Sequence, residues 1–291
     1  YEKSCQDVVD RWIAKGHKVD VLTPSPRFDG ITDEDQPHVH RSLEWYWDDH
    51  KILRPGVRRR IAIERGNQRT FGGLLERRHP DVVSFWAMGG MSLGLITSCI
   101  QRAYPLVCVM EDDWFVYGPK IDGWTDAWSR RPAWLRHLAS QLMGLPTVIP
   151  ELPPTATVEF ASNYLRQRAR REGLISFSES ETVPLGTDPA DFPSHRSRMD
   201  RPWTGKLLAV GRVEPRKGFD TAVRALAALP GMTLRIVGPG VDDHVTELLA
   251  LAKEVGVADR FVVDSAVPRD QLAATYAEAD AFLFPSRWDE P

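Results

Sequence analysis

The stretch Leu207-Leu208-Ala209-Val210-Gly211-Arg212-Val213-Glu214-Pro215-Arg216-Lys217-Gly218 decides how this chain is read. Four apolar residues in a row make a short strand buried on both faces. Gly211 ends it where the backbone must turn tightly. The amphipathic run Phe219–Leu229 that follows is a helix. Arg212 and Lys217 therefore set two cations beside the positive end of a helix, an arrangement that favours a diphosphate. Basic residues are common in strand-to-helix loops, so an ordinary solvated loop remains open at this point. The loop is not a Walker A sequence and no Gly-x-Gly-x-x-Gly is present. P-loop and classical dinucleotide readings are thereby excluded.

Downstream the same rhythm repeats. Leu234–Val237 is a strand and Val245–Val255 a helix; Phe261–Val263 is a strand, Gln271–Glu278 a helix, and Ala281–Phe284 a last strand. Strands alternating with helices imply a parallel, doubly wound sheet, with ligands outside the carboxyl ends of its strands. Two such ends carry distinctive residues. Val237-Gly238-Pro239-Gly240 lets a nucleotide or a facing domain come close, or makes a plain tight turn. Phe284-Pro285-Ser286-Arg287-Trp288-Asp289-Glu290-Pro291 ends in carboxylates that can accept from sugar hydroxyls, or stay solvated.

Upstream lies a second α/β unit. Cys5 to Ile13 is a helix stopped at Gly16-His17, followed by a strand at Val19–Leu22 and a polar, aromatic excursion from Pro24 to Pro55. Ile61–Arg78, Met91–Ala103 and Asn163–Glu172 are helices; Asp81–Trp86, Leu106–Met110, Val158–Ala161 and Thr182–Leu185 are strands. The proline-rich, mixed-charge stretch after Asp188 breaks the pattern and marks a linker. The predicted organisation is a first domain over 1–188, a linker over 189–203 and a second domain over 204–291.

The spacings in the second domain resemble the retaining glycosyltransferases of the GT-B fold, most closely glycosyltransferase family 4. The matching residues, in order, are Gly211-Arg212, Lys217-Gly218, Val237-Gly238-Pro239-Gly240, Tyr276, Ala279-Asp280, Pro285-Ser286 and Glu290-Pro291. In the first domain, Gly16-His17-Lys18-Val19 and Leu185-Gly186-Thr187-Asp188 with Phe192 agree more loosely. The resemblance implies two Rossmann-like, doubly wound domains facing a cleft, both truncated at the chain ends. It further implies a metal-independent, anomer-retaining transfer from a nucleotide-diphosphate sugar, with UDP or GDP as the nucleotide and no cofactor. Gly211, Arg212, Lys217 and Gly238 would hold the donor, Ser265 and Val267 would lie near its base, and Glu290 would contact its sugar. A family glycine loop and first strand are expected before Tyr1, and a second motif Glu after Pro291.

Met110-Glu111-Asp112-Asp113-Trp114 stands at a strand end where many relatives have His-Asp-Tyr-Trp. Glu111, Asp112 and Asp113 could orient an acceptor hydroxyl or stabilise an oxocarbenium-like transition state; helix capping by Asp112 or Asp113 is the plainer alternative. Trp86-Ala87-Met88-Gly89-Gly90 is a further strand-to-helix turn. Trp86, Met88, Gly89, Gly90 and Trp114 are the acceptor-contact candidates, and ordinary core packing is expected for most rings between Trp114 and Trp134. The helix Pro132–Met143 carries Trp134, Leu135, Leu138 and Leu142 and is expected to pack on its domain, with membrane-surface docking as the other option.

Composition narrows the field. The 291 residues are 42% hydrophobic and 26% charged, ordinary for a globular chain, and no apolar run is long enough to span a bilayer. Three cysteines without metal-type spacing suit a reducing compartment. Expected locations are the cytoplasm or the inner face of its membrane. Lys51 to Arg78 holds nine Lys/Arg against two Glu, a local +7 in a chain of net charge −3. That stripe suits a solvated helix or an anionic partner, while the acidic remainder argues against nucleic acid. Expected partners are the donor, a glycan, lipid or small-molecule acceptor, and a peripheral membrane contact. Competing readings are a nucleotide-sugar binding module without catalysis and a same-fold nucleotide-sugar epimerase; a phosphorylase would need a pyridoxal-phosphate lysine to which nothing points.

Overall fold

The computed structural model describes residues 2–24, 36–48, 51–192, 202–240 and 242–288. They form two units, Tyr1–Leu185 and Gly186–Glu290. In the first unit, α1 (Glu2–Ala14) leads to β1 (Val21–Pro24), which pairs in parallel with β2 (Val39–Leu43). The expected strand at 19–22 is thus displaced by two residues. The excursion from Pro24 to Pro55 hides more structure than its polarity suggests, namely β2 and the short hairpin β3 (Trp47–Asp48) and β4 (Lys51–Ile52).

Helix α2 (Val57–Arg78) follows and buries Ile63, Glu64, Asn67, Phe71 and Leu75, spaced as one helical stripe. A second sheet then forms from β5 (Val83–Trp86), β6 (Leu106–Met110), β7 (Thr157–Phe160) and β8 (Ser180–Thr182), all parallel and in sequence order. The connections hold α3 (Gly94–Gln101), α4 (Trp114–Ile121), α5 (Thr125–Ser129), α6 (Ala133–Met143) and α7 (Asn163–Glu172). Ser162 caps α7 by accepting from the Leu165 amide at 3.2 Å. Phe85, Cys108, Met110, Val158 and Phe160 alternate into the main core of this unit.

The second unit has one parallel sheet of β9 (Lys206–Val210), β10 (Thr233–Val237), β11 (Phe261–Asp264) and β12 (Ala281–Phe282), in the order β11-β10-β9-β12. Helices α8 (Phe219–Ala227), α9 (Asp242–Glu254) and α10 (Arg269–Glu278) connect them. Strand order reverses between β9 and β12, so the ligand crevice of a doubly wound sheet falls where the loops after these two strands diverge. Residues 186–192 sit with this unit: Asp191 pairs with Arg269 at 2.9 Å and the Phe192 ring meets Tyr276. Of the expected linker, residues 193–201 lie outside the described residues.

Candidate functional site

In the second unit the loop after β9 is fixed by close backbone approach. The Gly211 amide donates to the Val237 carbonyl at 3.0 Å, and a Cβ on Gly238 would overlap the Gly211 carbonyl oxygen. Only glycine lets these two strand ends lie back to back. Beyond them the Val213 amide donates to the Pro239 carbonyl at 2.8 Å, zipping the loops after β9 and β10 together. Pro215–Lys217 makes a single 3-10 turn, and Gly218, at φ 67°, turns the chain into α8. A Cβ on Gly218 would overlap the Pro285 carbonyl, so the loop after β12 rests on the start of α8. Arg212 is exposed, and among the described residues no carboxylate pairs with it. Lys217 is half-buried on the same turn.

The loop after β12 is clamped by residues that spacing did not single out. The Arg287 amide donates to the Arg216 carbonyl at 2.9 Å, and the Arg287 guanidinium donates to Asp220 at 2.5 Å and to Thr221 at 2.7 Å. Arg216 pairs with Glu214 at 2.7 Å and lies over the Trp288 ring at 4.8 Å. Of the four cations on the loops after β9 and β12 (Arg212, Arg216, Lys217 and Arg287), Arg216 and Arg287 are thus paired with carboxylates of the same unit. Ser265 is exposed and Val267 half-buried, just beyond β11. Glu290 lies outside the described residues.

In the first unit the two predicted acceptor-side segments come together. Gly89 lies against the Tyr117 ring so closely that a Cβ would overlap it, and the Tyr117 hydroxyl donates to Asp112 at 2.6 Å. The Gly90 carbonyl accepts from the Tyr46 amide at 2.8 Å, and Trp47 stands within contact of Gly90. Next to that contact is a shallow pocket of about 250 Å³, lined by Trp45, Trp47, Leu53 and Ile63 with the Glu44–Arg59 ion pair. Trp86 is half-buried, its indole donating to Ser84 at 2.8 Å.

The acids and rings require corrections. Three adjacent acids suggest mutual repulsion, yet the structure separates their partners. Asp112 caps the Trp114 amide at 3.0 Å as well as accepting from Tyr117, and Asp113 pairs with Arg168 at 3.1 Å. Glu111 is buried. Trp114, proposed for acceptor contact, is fully buried against Phe115, and its indole donates to the Val109 carbonyl at 3.2 Å. Met88 is also buried. Neither side chain is presented to a ligand. Phe115 and Trp124 are core residues as expected, but Trp134 is not; it is 68% exposed.

Beneath the Gly89–Gly90 loop lies a buried polar network that motif reading missed. Glu64 is fully buried, accepting from the Tyr46 hydroxyl at 2.8 Å and the Ser92 hydroxyl at 2.9 Å. Asn67 donates to Ser92 at 2.7 Å and exchanges two hydrogen bonds with the Glu44 backbone. Asp122, fully buried as well, accepts from the Leu93 amide at 3.2 Å and from Thr125 at 2.5 Å. Burial, together with the charge of Asp122, pushes the Glu64 carboxyl up to about 8, and burial raises Asp122 too. The sequence signal was available, since Glu64 and Asn67 fall on the same stripe of α2 as Ile63, Phe71 and Leu75.

Residues 195–291 match the family described as glycosyl transferases group 1. The chain is 35% identical over 147 residues to the GDP-mannose-dependent alpha-(1-6)-phosphatidylinositol monomannoside mannosyltransferase of Mycolicibacterium smegmatis, covering 45% of this chain and 36% of that protein. It is 39% identical over 121 residues to the D-inositol 3-phosphate glycosyltransferase of Acidothermus cellulolyticus, covering 36% and 27%. The chain thus spans about a third of the length of these curated relatives. Among solved structures, a glycosyltransferase from Rickettsia africae superposes with a TM-score of 0.63 at 14% identity, covering 99% of this chain and 70% of that one. Sucrose-phosphate synthase from Thermosynechococcus elongatus superposes with a TM-score of 0.61 at 16% identity, covering 96% and 68%. These likenesses carry the fold: the chain has the GT-B fold, and its residues 195–291 match the group 1 glycosyl transferases.

Proposed function

We propose that the protein transfers a sugar from a nucleotide-diphosphate sugar to an acceptor hydroxyl, with retention of configuration and without a metal. The observation that carries this is the turn Gly211–Gly218. It places Arg212, without a carboxylate partner among the described residues, and Lys217 beside the start of α8 at the switch point of a doubly wound sheet. Cations and helix amides there bind the diphosphate and stabilise the negative charge that grows on it as the glycosidic bond breaks. Trp288 belongs to the loop after β12, on the other side of the same switch point, where the donor sugar would sit.

The donor reading favours a guanosine diphosphate sugar, because the relative with 35% identity is named for GDP-mannose. A distant neighbour in fold, at 18% identity, was solved with UDP, so the base is the feature to test first. The acceptor is assigned to the first unit, at the Gly89–Gly90 loop and the adjoining pocket with Trp45 and Trp47. A ring-sized polyol fits a pocket of about 250 Å³, and tryptophan faces suit its C–H surfaces.

Arg212→Ala and Lys217→Ala are each expected to lower release of nucleotide diphosphate from the donor by 10²-fold or more, an order of magnitude usual for losing one transition-state charge contact. Both side chains lie on a surface loop, so the unfolding free energy should stay within about 0.5 kcal/mol of the parent. Unchanged nucleotide release in either variant would overturn the assignment. Donor binding that persists in the parent without any transfer or hydrolysis would favour the binding-module reading instead.

A further inference from the structure

We infer that Glu64 is a positioning residue for the pocket beside Gly90: its protonated carboxyl ties the walls of that pocket together, and loss of the proton lets them part. The inference deepens the acceptor reading and rests on it for the choice of ligand, while the movement of the walls has a test of its own. The pocket is lined by Glu44, Trp45, Trp47, Leu53, Arg59 and Ile63. These come from three stretches of chain: the segment leaving the carboxyl end of β2, the residue after β4, and the first two turns of α2.

The residue between the two tryptophans joins these stretches. Tyr46 is fully buried; its amide donates to the Gly90 carbonyl at 2.8 Å, and its carbonyl accepts from the Leu53 amide at 2.9 Å. Its ring stands where a Cβ on Gly123 would be, and its hydroxyl donates to Oε1 of Glu64. The Ser92 hydroxyl, two residues past Gly90, donates to the same oxygen. Asn67, one turn further along α2, holds Ser92 and the Glu44 backbone. The Glu44–Trp47 segment, Leu53 and the Gly90 loop are thus tied to α2 through Tyr46, Ser92 and Asn67, and the first two meet on one oxygen of Glu64.

The hydrogen bonds also show where the proton sits. Asp122, just after α4, accepts from the Leu93 and Trp124 amides and from the Thr125 hydroxyl. Three donors favour its ionised form. Glu64 receives two hydroxyls on Oε1, while its Oε2 is buried without a partner among the described residues, as is the Gln68 amide nitrogen. The charged and titratable groups around Glu64 are Asp122, Tyr46 and, beyond Tyr46, Arg60 of α2. Ser92 and Leu93, before α3, bring only a hydroxyl and an amide. Among the described residues no cation pairs with Glu64. The pair therefore holds one charge, on Asp122, and one proton, on Glu64, in keeping with the rise of Glu64 to about 8. Once that proton leaves, two buried carboxylates face each other without a counter-ion, and admitting water relieves the charge. The contacts that yield are the two hydroxyls on Glu64, so the Trp45–Trp47 wall and the Gly90 loop loosen together.

The test is fluorine NMR of the 291-residue chain labelled with fluorotryptophan, with signals assigned from Trp45→Phe and Trp47→Phe. As pH rises, both signals are expected to move together with a midpoint near 8, while an unchanged circular dichroism spectrum shows that the fold is kept. Glu64→Gln keeps an acceptor for Tyr46 and Ser92 but cannot ionise; both signals should then stay at the parent's low-pH positions throughout. Tyr46→Phe removes a hydroxyl that favours the anion and should move the midpoint up. myo-Inositol, a ring-sized polyol, is the ligand probe. Its apparent affinity, read from the same signals, should fall about tenfold one pH unit above the midpoint in the parent and stay constant in Glu64→Gln. Signals that do not titrate in the parent, or a titration that persists in Glu64→Gln, overturn the inference. If the titration is seen but myo-inositol moves neither signal at any pH, the positioning role of Glu64 stands and the acceptor reading of the pocket falls.

Discussion

The buried carboxyl pair beneath the Gly89–Gly90 loop gives the sharpest consequence. Glu64 is fully buried and its carboxyl is raised from an ordinary 4.5 to about 8. In the unfolded chain it titrates near its ordinary value. Between these two values the folded state therefore holds a proton that the unfolded state has lost, and stability must fall as pH rises through that window. Each pH unit is worth about 1.4 kcal/mol, so the whole window corresponds to roughly 5 kcal/mol. From pH 5.5 to 8.5 the loss from this group comes to about 3 kcal/mol, a large part of the stability of a typical domain. Glu64→Gln removes the titration but keeps an acceptor oxygen for Tyr46 and Ser92. Urea unfolding of parent and variant across this range should give curves that diverge, the variant gaining about 3 kcal/mol over the parent towards the alkaline end. Asp122, also raised by burial, remains in both proteins, and its interaction with Glu64 is part of the difference measured. Parallel curves would mean that Glu64 is ionised in the folded protein at neutral pH, and the account of this network would be wrong.

Two further outcomes follow from close contacts. Gly238→Ala forces a Cβ into the Gly211 carbonyl, which is backbone and cannot rotate away; the second unit should lose about 1–3 kcal/mol in denaturant unfolding, together with donor binding measured by calorimetry. Tyr117→Phe removes the hydroxyl that donates to Asp112 at 2.6 Å; unfolding should shift by about 1–2 kcal/mol, and the acceptor KM should rise while the donor KM stays fixed, because the Gly89 loop loses its brace.

What could be read from the sequence divides along a physical line. The second unit is local: strand, glycine turn, cations and helix follow one another within residues 206–227. Hence β9, β10 and α8 emerge within two residues of their expected bounds, and Arg212 and Lys217 fall on one turn. Even there, the reason for Gly238 stayed hidden, because it packs against Gly211 in another loop and no spacing rule encodes that contact. The first unit is assembled from segments far apart in the chain. Tyr46, Glu64, Ser92 and Asp122 meet in one network, and Gly89, Asp112 and Tyr117 in another. Strand β2, Val-His-Arg-Ser-Leu, has too few apolar residues to announce itself and is held by its parallel pairing with β1. Helix α6 shows the deeper limit. Leu135, Ala139 and Met143 make one apolar stripe and Trp134, Leu138 and Leu142 another. Periodicity fixes the helix but does not say which stripe faces in, and the larger, more apolar stripe is the one left outside. A helix that places its larger apolar residues in water gains nothing in stability from them, so the inward stripe of Leu135, Ala139 and Met143 is what holds α6 to its unit.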